Sequence, residues 1–319
     1  ARFRPRMALA EASLSEDAGQ QLAVTFNSAR AEKLFAGSGH TFAEILALAD
    51  AGKPLPHFTL PAAVRAQVKF ESKKLVSQNV VGSLPGKDAT LKNEYVVLSA
   101  HLDHVGTGQP INGDGIYNGA MDNASGVATL IEAAMALAKT PLRRSVLFVA
   151  VTAEENGLLG SKYFDARPTV SANALVANVN VDMFLPLFPL RSLIVQGLDE
   201  SDLADDLQAA GRELQLQILS DPEPERNAFT RSDQYSFIQR GIPSASLKVG
   251  YIKGSPEHEI VKRWRAERYH APSDDLQQPI DFQAAADFNR VYLRIAQAVA
   301  NRNERPQWRA DSFFRRFMP

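Results

Sequence analysis

The chain has 319 residues, 45% of them hydrophobic and 22% charged, with 35 Lys+Arg against 36 Asp+Glu and a formal net charge of −1. At roughly 150 residues per domain this length predicts about two domains with ample apolar material for a core, and the balanced charge supplies no basic excess for nucleic acid. The lack of any cysteine excludes disulfides, cysteine-ligated zinc, iron–sulfur clusters and a cysteine nucleophile, and no apolar run approaches the ~18 residues of a membrane-spanning helix. The start, Ala1-Arg2-Phe3-Arg4-Pro5-Arg6, has neither an initiator Met nor a signal-peptide core, which reads as a processed or trimmed chain. Residues 22–26 form a short β-rich run, Asn27-Ser28 is a plausible N-cap, and 29–36 reads as a helix closed by Gly37. A second short helix is expected over 41–51, ending at Gly52-Lys53-Pro54. So few apolar faces suggest part of a domain rather than a whole one.

From Val64 the pattern alternates. Strands are expected at 64–75, 95–101, 145–152, 175–182, 192–196 and 244–249, and helices at 124–139, 157–165, 201–216, 232–240 and 281–301. The near-continuous apolar run SVLFVAVT at 145–152 is the pattern of a strand covered on both faces. Residues 106–119 read as a long glycine-rich loop, and 221–226 as a solvated charged loop. No internal repeat or low-complexity tract is present. Such alternation predicts an α/β sandwich with a largely parallel sheet, whose ligands gather at the carboxyl ends of the strands.

Polar residues stand at those ends. The strand 95–101 runs into His101-Leu102-Asp103-His104; residues two apart on an extended segment face the same way, so Asp103 can serve as the carboxylate partner that fixes a metal-bound His101. Taken alone this tripeptide also fits a polar surface turn. Asp122 precedes a helix, where Asp is commonly an N-cap, but its glycine-rich approach suits a backbone that must pass close to something. The strand 145–152 runs into Glu154-Glu155, two carboxylates whose mutual repulsion a cation would relieve, one ligating and the other holding a water. Asp182 ends the strand 175–182, and Tyr269-His270 lies in a late loop. Two divalent cations would balance Asp122, Glu155, Asp182 and one further negative charge from Glu154 or a hydroxide. Histidine and carboxylate ligands without sulfur suit catalytic zinc, with cobalt or manganese as substitutes.

The ordered motifs AHLDHVG, NGAMDNASGV, AEENGLLGS, NVNVDM, GIPSASL and RYHAPSDD, spread over residues 68–305, make the chain resemble the M28 family of di-zinc metallopeptidases, PA-domain-containing type. The resemblance implies a three-layer sandwich with a mixed, mostly parallel central sheet flanked by helices. It implies two Zn2+, with His101 and Asp182 on one, Glu155 and His270 on the other, and Asp122 bridging. Glu154 is then the general base, Asp103 the partner that orients His101, and Tyr269 is similar to a tyrosine with which some members stabilise the oxyanion. The implied activity is removal of the N-terminal residue from peptide substrates, with no nucleic-acid partner and no membrane span. A carboxypeptidase or glutaminyl cyclase of the same fold, or a receptor-like relative without metals, are the competing readings, the last disfavoured by the complete ligand set.

The resemblance also divides the chain into 1–67, similar to the later part of a PA insertion domain, and 68–319, the peptidase domain. It predicts a carboxyl-terminal portion of a longer polypeptide, whose missing N-terminal part is a possible partner, and a periplasmic or extracellular location. Of the other histidines, His40 and His57 are expected to be surface or structural, His104 to stand behind the ligands or at the rim rather than to ligate, and His258 to face solvent from a Pro-containing loop, with substrate contact as the alternative. Asp233 is either a helix N-terminal carboxylate or a pocket residue, and Gln234 departs from a His common in the family. Phe184, Phe188 and Tyr251 are candidates for the pocket wall or for the core.

Overall fold

The computed structural model describes residues 7–14, 26–63, 65, 67, 69 and 71–318. It contains two compact units, the described part of the first running over residues 26–76, the second comprising Met7–Leu14 and everything from Ser77 onward.

The first unit holds two short helices, α1 (Glu32–Phe35) and α2 (Phe42–Asp50), and no strand among its described residues. Asn27 Oδ1 accepts the Ala29 amide at 3.0 Å, and Thr41 and Glu44 form a reciprocal capping box at the start of α2. Phe35 packs against Phe42 and Phe58 with ring centroids 5.8 and 6.0 Å apart. His40 sits beside Glu44 at 3.2 Å, and His57 is exposed. Residues 22–25 of the expected β-rich run lie outside the described residues.

The second unit is a three-layer sandwich. Its strands are β1 (Val80–Leu84), β2 (Tyr95–His101), β3 (Gly106–Ile111), β4 (Asp114–Tyr117), β5 (Ser145–Val151), β6 (Leu175–Val181), β7 (Ser192–Gln196), β8 (Gln217–Ser220) and β9 (Ser244–Val249). The helices are α3 (Ser125–Leu137), α4 (Leu159–Ala166), α5 (Leu203–Glu213), α6 (Gln234–Ile238), α7 (Pro256–Glu267) and α8 (Phe282–Asn301). Seven strands form one sheet in the order β1-β5-β2-β6-β9-β7-β8, with β5, β2, β6 and β9 mutually parallel and β1 and β7 antiparallel to their inner neighbours. Strand alternation divides the core. Val96, Leu98, Val179, Val181, Leu247 and Val249 pack under α3, α5 and α8, while Val97, Leu147, Val149 and Val151 meet Phe164 of α4 and Phe237 of α6. Each of these buried side chains contributes roughly 1.5–3 kcal/mol of burial.

Three expectations are corrected. Of the strand expected at 64–75, positions 64, 66, 68 and 70 lie outside the described residues and 71–75 pair with nothing; the first strand is β1, because strand identity comes from pairing on β5 and not from local composition. The glycine-rich stretch is the β3–β4 hairpin, turning on Asn112 (φ 52°) and Gly113 (φ 88°), a pair suited to two left-handed positions. The supposed loop around His258 is helix α7, begun by Ser255 as N-cap, its Oγ accepting the His258 amide at 3.2 Å, and Pro256 in the first turn.

Candidate metal centre

The carboxyl ends of β5, β2 and β6 lie side by side, and polar side chains gather there because the α4/α6 face of the sheet turns polar toward that end. On β2 and β6, Ser99 Oγ donates to Asn180 Oδ1 at 2.7 Å and Asn178 Nδ2 to Ser99 Oγ at 2.8 Å. Asn180 Nδ2 in turn donates to Gln234 Oε1 at 2.8 Å. His101 and Asp182 continue this column one step beyond. His101 Nε2 lies 3.2 Å from Asp122 Oδ1 and 3.4 Å from Asp182 Oδ1.

A second group forms around the other Asp122 oxygen. Asp122 Oδ2 is 3.3 Å from His270 Nε2 and 3.8 Å from His104 Nδ1. Glu155 reaches the same two rings, Oε1 at 2.9 Å from His104 Nδ1 and Oε2 at 3.0 Å from His270 Nε2. Asp122 therefore gives one carboxylate oxygen to each group. His101, Asp122 and Asp182, and likewise His104, Asp122 and Glu155, each bring one ligand atom within 4.8 Å of one another.

These residues fit a metal. Ligands about 2.0–2.1 Å from a tetrahedral zinc stand about 3.3–3.4 Å apart, close to the spacings found here. Both ring nitrogens of His104 and Glu155 Oε1 are buried without an aligned hydrogen bond, although His104 Nδ1 and Oε1 are close neighbours. Such atoms converge on a common point instead of pairing with each other, and a buried group without a partner costs free energy unless something else satisfies it.

The backbone around the centre is bent to aim these side chains. Gly119, at φ 69°, leaves no room for a side chain, since a Cβ would meet the Asp122 carbonyl oxygen at 2.4 Å. The next turn has non-helical angles at Asp122 (φ −111°, ψ 83°) and is held by buried Asp274, whose Oδ1 accepts the Met121 amide at 2.8 Å and Oδ2 the Asp122 amide at 3.0 Å. Asn123 links this turn to the end of β6, donating to the Val181 carbonyl at 2.9 Å and accepting the amides of Gly126 at 3.1 Å and Met183 at 3.3 Å. Ala153 (φ 56°), Met183 (φ 46°) and His270 (φ 54°) are left-handed, a conformation that costs about 1–3 kcal/mol per residue and concentrates where a chain must be re-aimed.

Converging charges and burial shift the titration of these groups strongly. Burial, with the charges of Asp182, Asp233 and Glu155, pushes the Glu154 carboxyl up to about 10 although His101 opposes the shift. Burial works against the Glu155 charge, yet His104 and His270 hold that carboxyl down at about 2. Burial opposes charging of His270, but Asp122 and Glu155 raise it to about 9. His101 is raised well above its usual value, burial notwithstanding, by Asp122 and Asp182. Burial raises Asp233 to about 7. The directions follow from carboxylates crowding together in a buried place.

All eight residues singled out in the sequence lie in this one region. Glu154 and Tyr269 line the cavity beside Asp122, Asp182 and His270. The Tyr269 ring stacks on His270 with centroids 3.9 Å apart, and burial together with the Asp122 and Asp182 charges raises its hydroxyl. Asp103 acts differently from the expectation. His101 Nδ1 lies 3.0 Å from the Asp103 main-chain carbonyl and 4.0 Å from its carboxylate, which instead accepts the amides of Glu154 at 3.0 Å and Glu155 at 3.3 Å. Strand alternation stops at His101, so it no longer governs where Asp103 points.

The same break brings His104 beside Glu155 and Asp122, the inner of the two places expected for it. Asp274, unassigned in the sequence reading, braces Asp122 across about 150 residues of chain, a pairing no local pattern reveals. His258 is buried and stacked on Tyr251 at 5.2 Å, not solvent-facing. Phe184 and Phe188 belong to the core, Phe184 stacking on Phe288 at 4.2 Å, whereas Tyr251 does line a cavity. Gln234 is tied into the sheet by the Asn180 contact and by donating to the Phe229 carbonyl at 2.8 Å. Asp233 is fully buried, and neither carboxylate oxygen has an aligned hydrogen bond among the described residues.

Fold and site together define a zinc-exopeptidase-like sandwich, and the sequence profile described as Peptidase family M28 matches residues 79–296. The chain belongs to that family. It is 31% identical over 228 residues to Aminopeptidase YwaD of Bacillus subtilis, covering 67% of this chain and 45% of that protein. It is 28% identical over 248 residues to a probable leucine aminopeptidase 2 of Aspergillus oryzae, covering 73% and 45%. Among solved structures, BSAP, a zinc aminopeptidase from Bacillus subtilis, superposes with a TM-score of 0.55 at 25% identity, covering 71% of this chain and 51% of that one. The chain thus spans about half the length of these relatives.

Proposed function

We propose that this chain carries the catalytic centre of a metal-dependent aminopeptidase that removes the N-terminal residue of peptides with two zinc ions. The observation that carries the reading is Asp122, whose carboxylate presents one oxygen to the His101–Asp182 group and the other to the Glu155–His270 group. His101 and Asp182 would hold one ion, Glu155 and His270 the other, and Asp122 both; His104 stands close enough to Glu155 to join the second set. Cobalt or manganese would substitute, since both accept nitrogen and oxygen donors, manganese with the weaker affinity.

When bound, the zinc pair supplies a water nucleophile at neutral pH and polarises the scissile carbonyl. Glu154, at the mouth of β5, accepts the proton of the attacking water and returns it to the leaving amine. Burial and the neighbouring carboxylates raise the Glu154 carboxyl, so positive charge placed beside it would favour the ionised form that acts as a base. The Tyr269 hydroxyl donates to the oxyanion of the tetrahedral species, and Asp103 fixes Glu154 by accepting its amide. The carboxylate-rich end of the cavity attracts the free α-amine of the substrate, which favours exopeptidase cleavage. We extend the reading to residues 1–67 as the later part of a PA-like domain, and to a periplasmic or extracellular setting.

The test is hydrolysis of an aminoacyl-p-nitroanilide panel before chelation, after it, and after zinc is restored. Activity should disappear with chelation, return with zinc, and fall at least a thousandfold in Glu154→Gln while zinc is retained. Activity indifferent to both chelator and Glu154→Gln would overturn the proposal.

A further inference from the structure

The cavity beside the metal centre is lined by Asp122, Glu154 and Asp182 and also by Lys248, Arg226, Arg231 and Arg265; Lys248, Arg226 and Arg265 continue as the basic end of an adjoining cavity that Asp221 and Glu223 also line. The two carboxylates at the basic end are already engaged. Glu223 Oε2 lies 2.6 Å from Arg265 Nη2 and accepts the Tyr251 hydroxyl at 2.6 Å, while Asp221 Oδ1 accepts the Glu223 amide at 2.8 Å. Arg226 is only loosely paired, 4.0 Å from Glu223. Lys248 and Arg231 make no direct salt bridge or side-chain hydrogen bond among the described residues, although Lys248 stands near enough to Asp182 to help hold that carboxyl down.

Lys248 is placed there by the sheet. On β9 its neighbours Leu247 and Val249 enter the core under α8, so alternation sends Lys248 to the opposite face, where Ile194 of β7 is its cross-strand partner. Two residues along β7 on that face, Gln196 is only 5% exposed, lines the same cavity, and has no side-chain hydrogen bond among the described residues. Lys248 is half-buried and Gln196 buried, and both line the cavity as hydrogen-bond donors that a substrate carboxylate could accept from.

We propose that the end of the cavity around Lys248, Gln196 and Arg231 is a subsite for a carboxylate of the substrate, so that the enzyme prefers peptides whose bound residue is acidic. The proposal rests on the peptidase reading of the neighbouring centre and names its substrate class. An N-terminal Glu or Asp satisfies both ends, with its α-amine toward the carboxylates and its side chain toward Lys248. A C-terminal carboxylate of a short peptide has the same chemistry and would use the same cations.

The experiment compares kcat/KM of the zinc-loaded protein for α-linked Glu-p-nitroanilide and for Gln-p-nitroanilide, a neutral isostere, and for the dipeptide Ala-Leu against its C-terminal amide. Glu should exceed Gln at least tenfold, since a neutral amide leaves Lys248 unpaired, and Lys248→Met should bring that ratio to about one. A Glu/Gln ratio near one with Ala-Leu at least tenfold faster than its amide supports the subsite with the C-terminal carboxylate as its source. Both ratios near one overturn the proposal, and these comparisons need no variant to fold. Calorimetric binding of L-glutamate and L-glutamine separates the two readings. If no substrate is turned over, the peptidase reading fails; glutamate bound at least tenfold tighter than glutamine, with the difference lost in Lys248→Met, still supports the subsite, and equal binding overturns it.

Discussion

Asp274 offers the sharpest test of how the centre is held. Its Oδ1 accepts the Met121 amide at 2.8 Å and Gln278 Nε2 at 2.6 Å, and its Oδ2 accepts the Asp122 amide at 3.0 Å, all inside the protein. Asp274→Asn replaces one acceptor oxygen with an N–H donor, so whichever way the new side chain sits, a buried donor faces a donor. Leaving one such group unsatisfied costs about 1–3 kcal/mol, and the lost bond involved a carboxylate, so about 2–3 kcal/mol of stability should go. Asp274→Ala strands all three donors and should cost about 3–6 kcal/mol on the same scale. Urea unfolding of the metal-free protein measures both losses. A merely structural role would end there. A positioning role also misplaces Asp122, the carboxylate shared by the two ligand groups, so zinc affinity measured against a chromophoric chelator should fall about 10–100-fold in Asp274→Asn. An Asp274→Asn protein with an unchanged urea midpoint and unchanged zinc affinity would refute the reasoning.

At Gly126 a Cβ would lie 2.3 Å from Asn123 Oδ1 and 2.7 Å from the Val181 carbonyl oxygen. Asn123 is tied to β6 and cannot yield, so Gly126→Ala should lose about 2–3 kcal/mol by overpacking, outweighing the gain of about 1 kcal/mol in helix propensity; a variant more stable than the parent in urea would contradict this. Asp88 is held down from 3.8 to about 2 by the amides of Leu91 and Thr90 and by Arg143. Because the folded-state value is depressed, its stabilising contribution is present above about pH 4 and is lost as pH falls through about 2. Asp88→Asn should therefore be less stable than the parent at pH 6 and indistinguishable from it near pH 2, and a difference that persists unchanged at low pH would contradict the assignment.

What was legible in the sequence was local. Strands β2, β5, β6, β7 and β9 announced themselves as apolar runs, and polar residues at their ends marked His101, Glu154, Glu155 and Asp182. The alternation Asn178-Val179-Asn180-Val181-Asp182 even carries the polar column under the centre, with valines on the core side. What escaped depended on pairing across the chain or on backbone outside regular elements. Strand β1 exists because β5 receives it, and the β3–β4 hairpin lacks the alternating apolar flanks that would signal strands. Strand alternation holds through His101 and ends there, so it does not predict where the Asp103 carboxylate points. The Asp274 brace and the placement of Lys248 in the cavity depend on which neighbours meet in space, which composition does not encode.

The central claim is a centre built for two ions around one shared carboxylate. Native mass spectrometry of the zinc-loaded protein, with His101→Ala measured alongside, tests it most directly. The account predicts two zinc ions per chain in the parent and one in His101→Ala; a parent that binds a single zinc ion, or none, would contradict it.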